Sequence, residues 1–435
     1  MRMIKSMKST GKNVFIYSHG CEMRGLDTRK ISSYLKKNNF TLVNDPKDAD
    51  FIIFMTCAFL NTTARSSLER IKEFQTYDAE LIVAGCLPDI QSESLKLIFN
   101  GKIIPTKNLD IIDDLFPENQ VKFSEIQDEH FVWKTVNPFG VSSTPITLLK
   151  QSTIIKKLHL IFQNSILDKL MGNIYPFFYL YQPNHRRFQN PSIYQITISR
   201  GCNHNCSYCS ITKSVGPLRS KPISQCIKEF NDGLAQGYTS FILQADDIGT
   251  YGIDINSSLP ELLDTLTQEE GAYGITLRNT HPFWIIQYID QLEKIIKRGK
   301  IKEILLSIQS GSDQILKRMK RGYTKDKLID ATKRIKTAYP QLKLGFEIII
   351  GFPGETRDDF RETMRVMDTI HADNGMIAAF SPIKGTAAYA MEPKVSDTEI
   401  RKRMNILKKH LRQNNYFAWY NTSYCKGIFF KEKEV

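Results

Sequence analysis

Residues 194–209, YQITISRGCNHNCSYC, place three cysteines directly after a short apolar strand. The β-branched and aromatic residues up to Ile198 predict the strand, and Cys202, Cys206 and Cys209 follow at C-x-x-x-C-x-x-C spacing. Three thiolates from one tight loop, the central triad, suit three irons of a four-iron cubane and leave the fourth iron without a protein ligand. That iron is then free to bind a substrate or a cofactor.

Structural zinc is the alternative for the same loop. A closed zinc site has four protein ligands, and His204 and Cys226 are the nearby candidates for the fourth. His204 lies inside the loop at a poor spacing, so the pattern favours the iron–sulfur cluster. Tyr208, the aromatic residue before the last cysteine, is expected to lie beside a bound cofactor or simply to pack the loop.

Downstream of the loop, strand and helix patterns alternate as far as residue 381. Short apolar runs predict strands at 194–198, 240–244, 304–308, 344–350 and 376–380. Amphipathic patterns predict helices between them, at 224–235, 313–320, 324–338 and 358–370. This βα alternation predicts a parallel barrel or partial barrel.

Upstream, residues 12–116 show a second α/β pattern, typical of an open parallel sheet. Apolar runs at 14–17, 51–55 and 81–84 predict buried strands, and helices are predicted at 27–37 and 62–74.

Three further cysteines, Cys21, Cys57 and Cys86, form an N-terminal triad. Each follows a predicted strand or strand end, at the carboxyl edge where open α/β sheets bind ligands. Their spacing alone is a weak signal because buried free cysteine is common. Three equivalent strand ends nevertheless indicate a second metal site, whereas Cys226 and Cys425 are expected to be structural.

The composition is that of an ordinary globular protein and argues against disordered and fibrous classes. The 435 residues are 41% hydrophobic and 24% charged, and no apolar run reaches the roughly 20 residues that cross a bilayer. We find no signal peptide pattern at the start of the sequence. We therefore expect a cytoplasmic protein, a monomer, whose eight cysteines stay reduced.

The net charge of +13 is concentrated in two segments. Residues 136–190 contribute +5 and residues 401–435 contribute +7. Such basic segments favour a polyanion or an acidic peptide as partner, and a solvated face is the alternative. The later part of 136–190 is also apolar and aromatic, which predicts either a packed helix or a contact with substrate or a membrane surface.

The chain resembles the radical S-adenosylmethionine enzymes, and more narrowly their methylthiotransferase family. The resemblance covers about residues 12–90 and 193–415. It rests on these segments in order: YSHGCEMRGLDTRKI, FMTCAFLNTTARSS, VAGCLPDI, ISRGCNHNCSYCSI, LRSKP, LQADDIGTYGID, SIQSGSDQILKRMKRGYT, EIIIGFPGETRDDF and FSPIKGTAA.

This resemblance implies two 4Fe–4S clusters and S-adenosylmethionine as cofactors. The central triad would hold the cluster that cleaves S-adenosylmethionine to methionine and a 5′-deoxyadenosyl radical. The N-terminal triad would hold the cluster that carries the sulfur to a substrate carbon. An external electron donor such as flavodoxin or ferredoxin is implied, while the sulfur source and any catalytic residue remain unassigned.

Contacts to S-adenosylmethionine are predicted among polar residues at strand ends and turns of the barrel. A polar residue at a strand end more often faces a site than the core, and an arginine is a candidate partner for the carboxylate of the cofactor. Glycine in the GFPGE segment either approaches the adenine or makes an ordinary tight turn. The predicted contacts are Tyr208, Arg219, Gln244, Asp246, Gln309, Ser310, Glu347 and Gly351.

Three features depart from the family. Arg24 and Met55 stand where the family commonly has Asn, and the linker at 136–190 is longer and more apolar than expected. The family usually ends in an RNA-binding β-barrel, the TRAM domain, whereas residues 418–435 offer one predicted strand, GIFFKEKEV, which cannot close a barrel.

The missing barrel leads us to expect a polypeptide side chain as substrate, slightly ahead of a tRNA adenosine that carries an N6-isopentenyl or threonylcarbamoyl group. A radical enzyme with another outcome and a non-catalytic iron–sulfur protein are the alternatives. The chain divides into an N-terminal α/β domain (1–135), a basic, apolar linker (136–190), a radical partial barrel (191–400) and a basic helix with a vestigial TRAM strand (401–435).

Overall fold

The structure, a computed structural model, describes residues 12–130, 193–421 and 426–431. The predicted linker at 136–190 and Cys425 therefore lie outside the described residues. The described residues form two sheets of mainly parallel strands, with helices packed against each sheet.

The N-terminal domain is built on five parallel strands in the order β2-β1-β3-β4-β5. The strands are β1 Asn13–Ser18, β2 Thr41–Leu42, β3 Phe51–Thr56, β4 Glu80–Gly85 and β5 Lys102–Pro105. The helices are α1 Glu22–Lys37, α2 Asn61–Phe74, α3 Leu87–Ile90, α4 Ser92–Lys96 and α5 Ile112–Leu115, with 3₁₀ turns at Pro46–Asp48, Leu109–Ile111 and Phe123–Glu125. The predicted strands and helices of this domain are confirmed.

Both faces of the N-terminal sheet are apolar, as expected for parallel strands that helices cover on two sides. Side chains alternate between the faces along each strand. Along β3, Ile52 and Phe54 pack into one core, and Ile53 and Met55 pack into the other. The continuous apolar run at 51–55 is explained by burial on both sides.

The second sheet has six parallel strands, in the order β13-β12-β11-β10-β9-β6, and a hairpin added at the β13 edge. The parallel strands are β6 Ile193–Thr197, β9 Ser240–Gln244, β10 Gly274–Thr280, β11 Ile301–Gln309, β12 Lys343–Ile350 and β13 Asn374–Ala379. Two short strands, β7 Ser199–Arg200 and β8 Arg219–Ser220, form a separate antiparallel pair.

Helices and 3₁₀ turns connect these strands, which gives the predicted partial barrel. The helices are α6 Ile211–Val215, α7 Ile223–Ala235, α8 Leu259–Gln268, α9 Pro282–Gln287, α10 Ile289–Ile296, α11 Asp313–Arg318, α12 Lys325–Ala338, α13 Arg357–Ile370 and α14 Asp397–Gln413. The 3₁₀ turns lie at Ile248–Thr250, Ile253–Ile255 and Ala387–Tyr389. Within the described ranges, none of the helices is long and apolar enough to cross a membrane.

Strand β10 was not predicted from the sequence. Its residues, GITLRNT, include only two large apolar side chains, Ile275 and Leu277, and both are fully buried. The remaining positions are polar or glycine, so the segment lacks the apolar run that marked the other strands.

The last strands extend the second sheet instead of forming a separate barrel. β14 Tyr416–Asn421 and β15 Lys426–Lys431 pair with each other, and β15 pairs antiparallel with β13. The single strand predicted in GIFFKEKEV is thus β15, and the sequence did not predict its partner β14.

Contacts between the two domains join the carboxyl edges of their sheets. Asn61, which follows β3, donates from its side chain to the carbonyl of Pro382, which follows β13, at 2.8 Å. Arg278, in β10, lies 2.8 Å from Glu22 at the start of α1. The residues after the strands of one sheet therefore face those of the other.

Gly85 offers a test of how tightly the end of β4 is packed. Its φ is +97°, and a Cβ there would lie 2.5 Å from the Thr56 carbonyl oxygen. Gly237 has a similar φ of +84° but no atom within 4 Å of a Cβ. We expect Gly85→Ala to destabilise the protein by about 1–3 kcal/mol more than Gly237→Ala, since only the first adds overpacking to backbone strain. Thermal unfolding followed by circular dichroism measures both, and equal midpoints would contradict the packing argument.

Candidate metal centres at the facing sheet edges

The N-terminal triad lies on three adjacent strand ends. Cys21 precedes α1 after β1, Cys57 directly follows β3, and Cys86 directly follows β4. Since β1, β3 and β4 are neighbours and parallel, the three cysteines share one sheet edge. Burial raises the pKa of the Cys21 thiol to about 12, and Cys86 and Cys57 also raise it by their charge, which places the three sulfurs in one electrostatic group.

Local hydrogen bonds hold these strand ends. The Cys57 carbonyl accepts from Ser67 Oγ at 2.9 Å, and the Cys57 N–H donates to the same oxygen at 3.3 Å. The Cys86 N–H donates to the Thr56 carbonyl at 3.3 Å, and Cys86 Sγ lies 3.7 Å from Thr106 Oγ1. Cys86 is buried and Cys57 half-buried, and Cys21, although exposed as a whole residue, has protein atoms packed densely around its sulfur.

The central triad lies in a loop that the barrel clamps at several points. The N–H of Gly201, a residue with φ +86°, donates to Asp246 Oδ2 at 2.8 Å. Ser207 donates from its N–H to the Met319 carbonyl at 3.1 Å and from its hydroxyl to the Arg318 carbonyl at 2.9 Å. These bonds fix the path of the loop between Cys202 and Cys209.

A buried arginine that the sequence did not single out lies against this loop. Arg321 is 3% exposed, and its Nη1 lies 3.2 Å from both Cys206 Sγ and the Tyr208 hydroxyl. It also donates to the Ser307 carbonyl. The guanidinium thus places a positive charge beside the Cys206 sulfur and holds the hydroxyl of Tyr208. Arg321 lies in the segment KRGYT, which contributes to the family resemblance, but only the fold shows that this arginine turns inward.

The donor sets fit iron–sulfur clusters. Burial raises the pKa of the Cys202 thiol, and it raises the pKa of Cys209 to about 11. The other two cysteines of the central triad act in the same direction on Cys202, so thiolates here need a cationic centre. Each triad offers three cysteines, and three thiolates suit a four-iron cluster with one open iron, whereas a closed zinc site has four protein ligands.

Most predicted contacts to S-adenosylmethionine lie at the same carboxyl edge of the barrel. Gln244 ends β9, is 1% exposed and donates to the Gln195 side chain at 3.0 Å. Gln309 ends β11 with a φ of +67°. Glu347, within β12, accepts from Ser307 Oγ at 2.7 Å. Asp246, two residues after β9, accepts from the N–H of Gly201 at the start of the central loop.

The other three predicted contacts have structural partners. Ser310 is fully buried, with its hydroxyl 3.3 Å from Thr363 Oγ1 on α13. Gly351, with φ +81°, donates its N–H to Glu355 Oε2 at 2.7 Å, and a Cβ there would collide with Ile400. Arg219 is exposed and donates to the Lys107 carbonyl of the N-terminal domain at 3.1 Å.

The sequence also did not reveal a buried ionic group, formed by Asp27, Arg24 and Arg200, that joins the two domains. Asp27 is 0% exposed, and its carboxylate lies 3.0 Å from Arg24 Nη1 and 2.6 Å from Arg200 Nη2. Arg24 follows Cys21 by three residues, and Arg200 precedes Cys202 by two. The sequence signal was available, since each arginine adjoins a cysteine motif, but their pairing needs the two domains together.

His204, inside the central loop, packs against a second polar group. Its ring stacks on His281 with centroids 3.9 Å apart, and its Nε2 lies 2.8 Å from Asp247 Oδ2. Trp284 Nε1 donates to the same carboxylate oxygen at 3.0 Å. His204 is thus held by side chains of the barrel, which explains its position without a role as a zinc ligand.

We expect anaerobic reconstitution to give about eight irons per chain, because each triad suffices for one four-iron cluster. Alanine in place of all three cysteines of either triad should remove about half of the iron, since different sheets hold the two triads. Iron and acid-labile sulfide analysis measures this, with Cys226→Ala, a buried cysteine outside both triads, as the control. About four irons in the unmodified protein would be incompatible with two clusters.

Two families match the two domains. Residues 196–367 match the Radical SAM superfamily, and residues 13–104 match the Uncharacterized protein family UPF0004. The matched ranges contain the central triad and the N-terminal triad, respectively.

The chain is similar over most of its length to two named enzymes. It is 30% identical over 405 residues to the "Probable threonylcarbamoyladenosine tRNA methylthiotransferase" of Methanocaldococcus jannaschii, a match that covers 93% of this chain and 83% of the relative. It is 29% identical to the "tRNA-2-methylthio-N(6)-dimethylallyladenosine synthase" of Thermodesulfovibrio yellowstonii, with 89% and 80% covered.

Among solved structures, the fold is similar to that of the radical S-adenosylmethionine methyltransferase TsrM from Kitasatospora setae, solved with cobalamin and a 4Fe–4S cluster bound. The TM-score is 0.53 at 12% identity, over 85% of this chain and 75% of TsrM, so the likeness concerns the fold alone. The two family matches give the cofactors of this protein, which are S-adenosylmethionine and two 4Fe–4S clusters. The chain belongs to the radical S-adenosylmethionine methylthiotransferase family.

Proposed function

We propose that this enzyme transfers a methylthio group to a tRNA adenosine that carries an N6 substituent. The observation that carries the proposal is similarity across 93% and 89% of the chain to two relatives that are both named for tRNA methylthiolation. The polypeptide substrate that we expected from the sequence has no support among these relatives. We therefore adopt the tRNA alternative.

The two triads divide the cofactors between them in this proposal. The central triad holds the cluster that binds S-adenosylmethionine, and the N-terminal triad holds the second cluster. When bound, these groups supply the radical, the methyl group and the sulfur. The protein supplies position: contacts such as the bond from Asn61 to Pro382 keep the two sheet edges face to face, so that a substrate base between them meets both sites.

Individual side chains keep the central site in one geometry. Arg321 holds Tyr208 and the Cys206 sulfur, while Asp246 holds the start of the loop through Gly201. Prearranged dipoles and charges of this kind need no reorganisation during the reaction.

We propose that the predicted residues serve S-adenosylmethionine in two ways. The first group contacts the cofactor and consists of Tyr208 in the central loop, Gln244 and Gln309 at strand ends, Asp246 after β9 and Glu347 within β12; the second group supports it. In the second group, Ser310 and Gly351 hold the end of β11 and the turn after β12, and Arg219 contacts the N-terminal domain.

Four further properties also remain our predictions. They are the domain boundaries at 135, 190 and 400, the flavodoxin or ferredoxin donor, the monomeric state and the cytoplasmic location.

A basic helix face is a fitting surface for tRNA phosphates. From residue 400 to its end, α14 contains no acidic residue, and Arg401, Lys402, Lys409 and Arg412 are all exposed. Its apolar side, including Leu407, is buried. The basic side is thus presented to solvent along three turns, where it attracts a phosphate backbone without reading its sequence.

Mass spectrometry of tRNA nucleosides tests the substrate. We expect a methylthioadenosine derivative that disappears when the gene is deleted and returns with the wild-type gene. A gene with alanines at the N-terminal triad should not restore it, although its product should still cleave S-adenosylmethionine because the central triad is intact. Unchanged tRNA in the deletion strain, with a methylthio group lost from a protein instead, would reject the tRNA substrate.

The role of α14 is tested by the salt dependence of tRNA binding. Arg401→Gln, Lys402→Gln and Lys409→Gln together should flatten the plot of log K against log salt by about 0.7–0.9 per lost phosphate contact. The matched control is Lys294→Gln, Lys327→Gln and Lys333→Gln, three exposed lysines on α10 and α12. Equal slopes for both triple variants would show that α14 is only a solvated face.

A further inference from the structure

Arg24 is a buried cation beside the N-terminal triad. Its side chain is 2% exposed and lies in the first turn of α1, three residues after Cys21. The side chain passes over Gly20, where an added Cβ would collide with the Cβ of Arg24 and lie 2.9 Å from its Cγ. The bare backbone at Gly20 therefore leaves room for the arginine to turn inward.

The nearest carboxylate compensates only part of the local positive charge. Asp27 is shared between two guanidinium groups, those of Arg24 and Arg200. Arg24 Nη1 is close to Asp27 but off the hydrogen-bond direction, and this nitrogen has no hydrogen-bond acceptor among the described residues. Asp246, the next carboxylate, already accepts from Gly201.

The cysteines of the triad are the other negative groups near Arg24. Cys21 lies one helical turn before Arg24, where its carbonyl accepts from the Gly25 N–H at 2.8 Å, and the Arg24 side chain packs on Gly20 beside it. Cys57 and Cys86 follow neighbouring strands at the same sheet edge. Arg24 is thus a fixed, buried cation beside the triad.

We propose that Arg24 compensates the negative charge of the cluster on the N-terminal triad and raises its reduction potential. A cluster held by three thiolates is anionic and gains a further negative charge on reduction, so a fixed cation nearby favours the reduced state. Asp27 lowers the reduction potential, because its negative charge offsets part of the positive charge of Arg24. Arg321 provides the same kind of cation at the central triad.

This inference rests on the family's two clusters, and a reduction potential is measured without substrate. Failure of the tRNA proposal would therefore leave it standing.

A redox titration of the reconstituted holoprotein, followed by electron paramagnetic resonance, tests the inference. The signal that is lost when the N-terminal triad is replaced by alanine identifies the cluster concerned. We expect Arg24→Asn to shift its midpoint potential to more negative values and Arg24→Lys to stay close to wild type. Asp27→Asn should shift the potential to more positive values. The midpoint of the central cluster should move less than that of the N-terminal cluster in every variant.

Arg24→Asn and Asp27→Asn should shift the midpoint potential in opposite directions if charge is the cause. A loosened site would shift the potential of both variants in the same direction. Shifts of the same sign, or an unchanged potential in Arg24→Asn with full iron, would overturn the inference. If Arg24→Asn fails to hold the N-terminal iron, retention of that iron by Arg24→Lys supports the charge role. Equal iron loss in both arginine variants overturns it.

Discussion

Parallel strands joined by helices all end at one edge of their sheet, and both cysteine triads depend on this constraint. Cys57 and Cys86 are distant in sequence yet adjacent, because β3 and β4 are paired neighbours. The central loop likewise leaves the barrel at the ends of its strands. Each sheet therefore collects its sulfur ligands at an edge where backbone and side-chain hydrogen bonds hold the loops.

The facing of the two edges depends on a few buried polar contacts. Asp27 lies in α1, the helix after Cys21, and pairs there with Arg24. It also pairs with Arg200, two residues before Cys202, and so joins the two domains. A buried carboxylate is strongly destabilising when its partners are missing, so this contact favours a single arrangement of the domains. Sulfur insertion requires two cofactor sites within reach of one substrate atom, and a fixed interface meets that requirement.

The proposed tRNA substrate leaves the choice of N6 group open. Enzymes named for threonylcarbamoyl and for dimethylallyl adenosine resemble the chain at 30% and 29% identity. In the proposed function the basic face of α14 attracts phosphates of any sequence, and side chains between the sheet edges recognise the base. Arg24, one of the chain's departures from its family, lies at this edge of the N-terminal sheet.

The sequence by itself determined the class of fold and the family, and it predicted the six cysteine ligands. Apolar runs between amphipathic segments mark strands that are buried on both faces, and cysteine spacing within one loop needs no tertiary information. The sequence did not predict strand β10, because polar side chains surround its two large buried apolar residues, Ile275 and Leu277. The relatives do not support the predicted polypeptide substrate. That prediction rested on the lack of a predicted C-terminal barrel and not on residues of the site.

Only the tertiary structure decided which polar residues approach the cysteines. Arg321 and Asp27 lie in ordinary charged helical or turn segments, where most such residues face solvent, and their burial follows from contacts between distant elements. The structure also shows that Gln244, at the end of β9, bonds to Gln195, and that Ser310, after β11, bonds to Thr363 on α13. Local sequence specifies whether a segment forms a strand or a helix, but the environment of a side chain depends on the elements that pack over it.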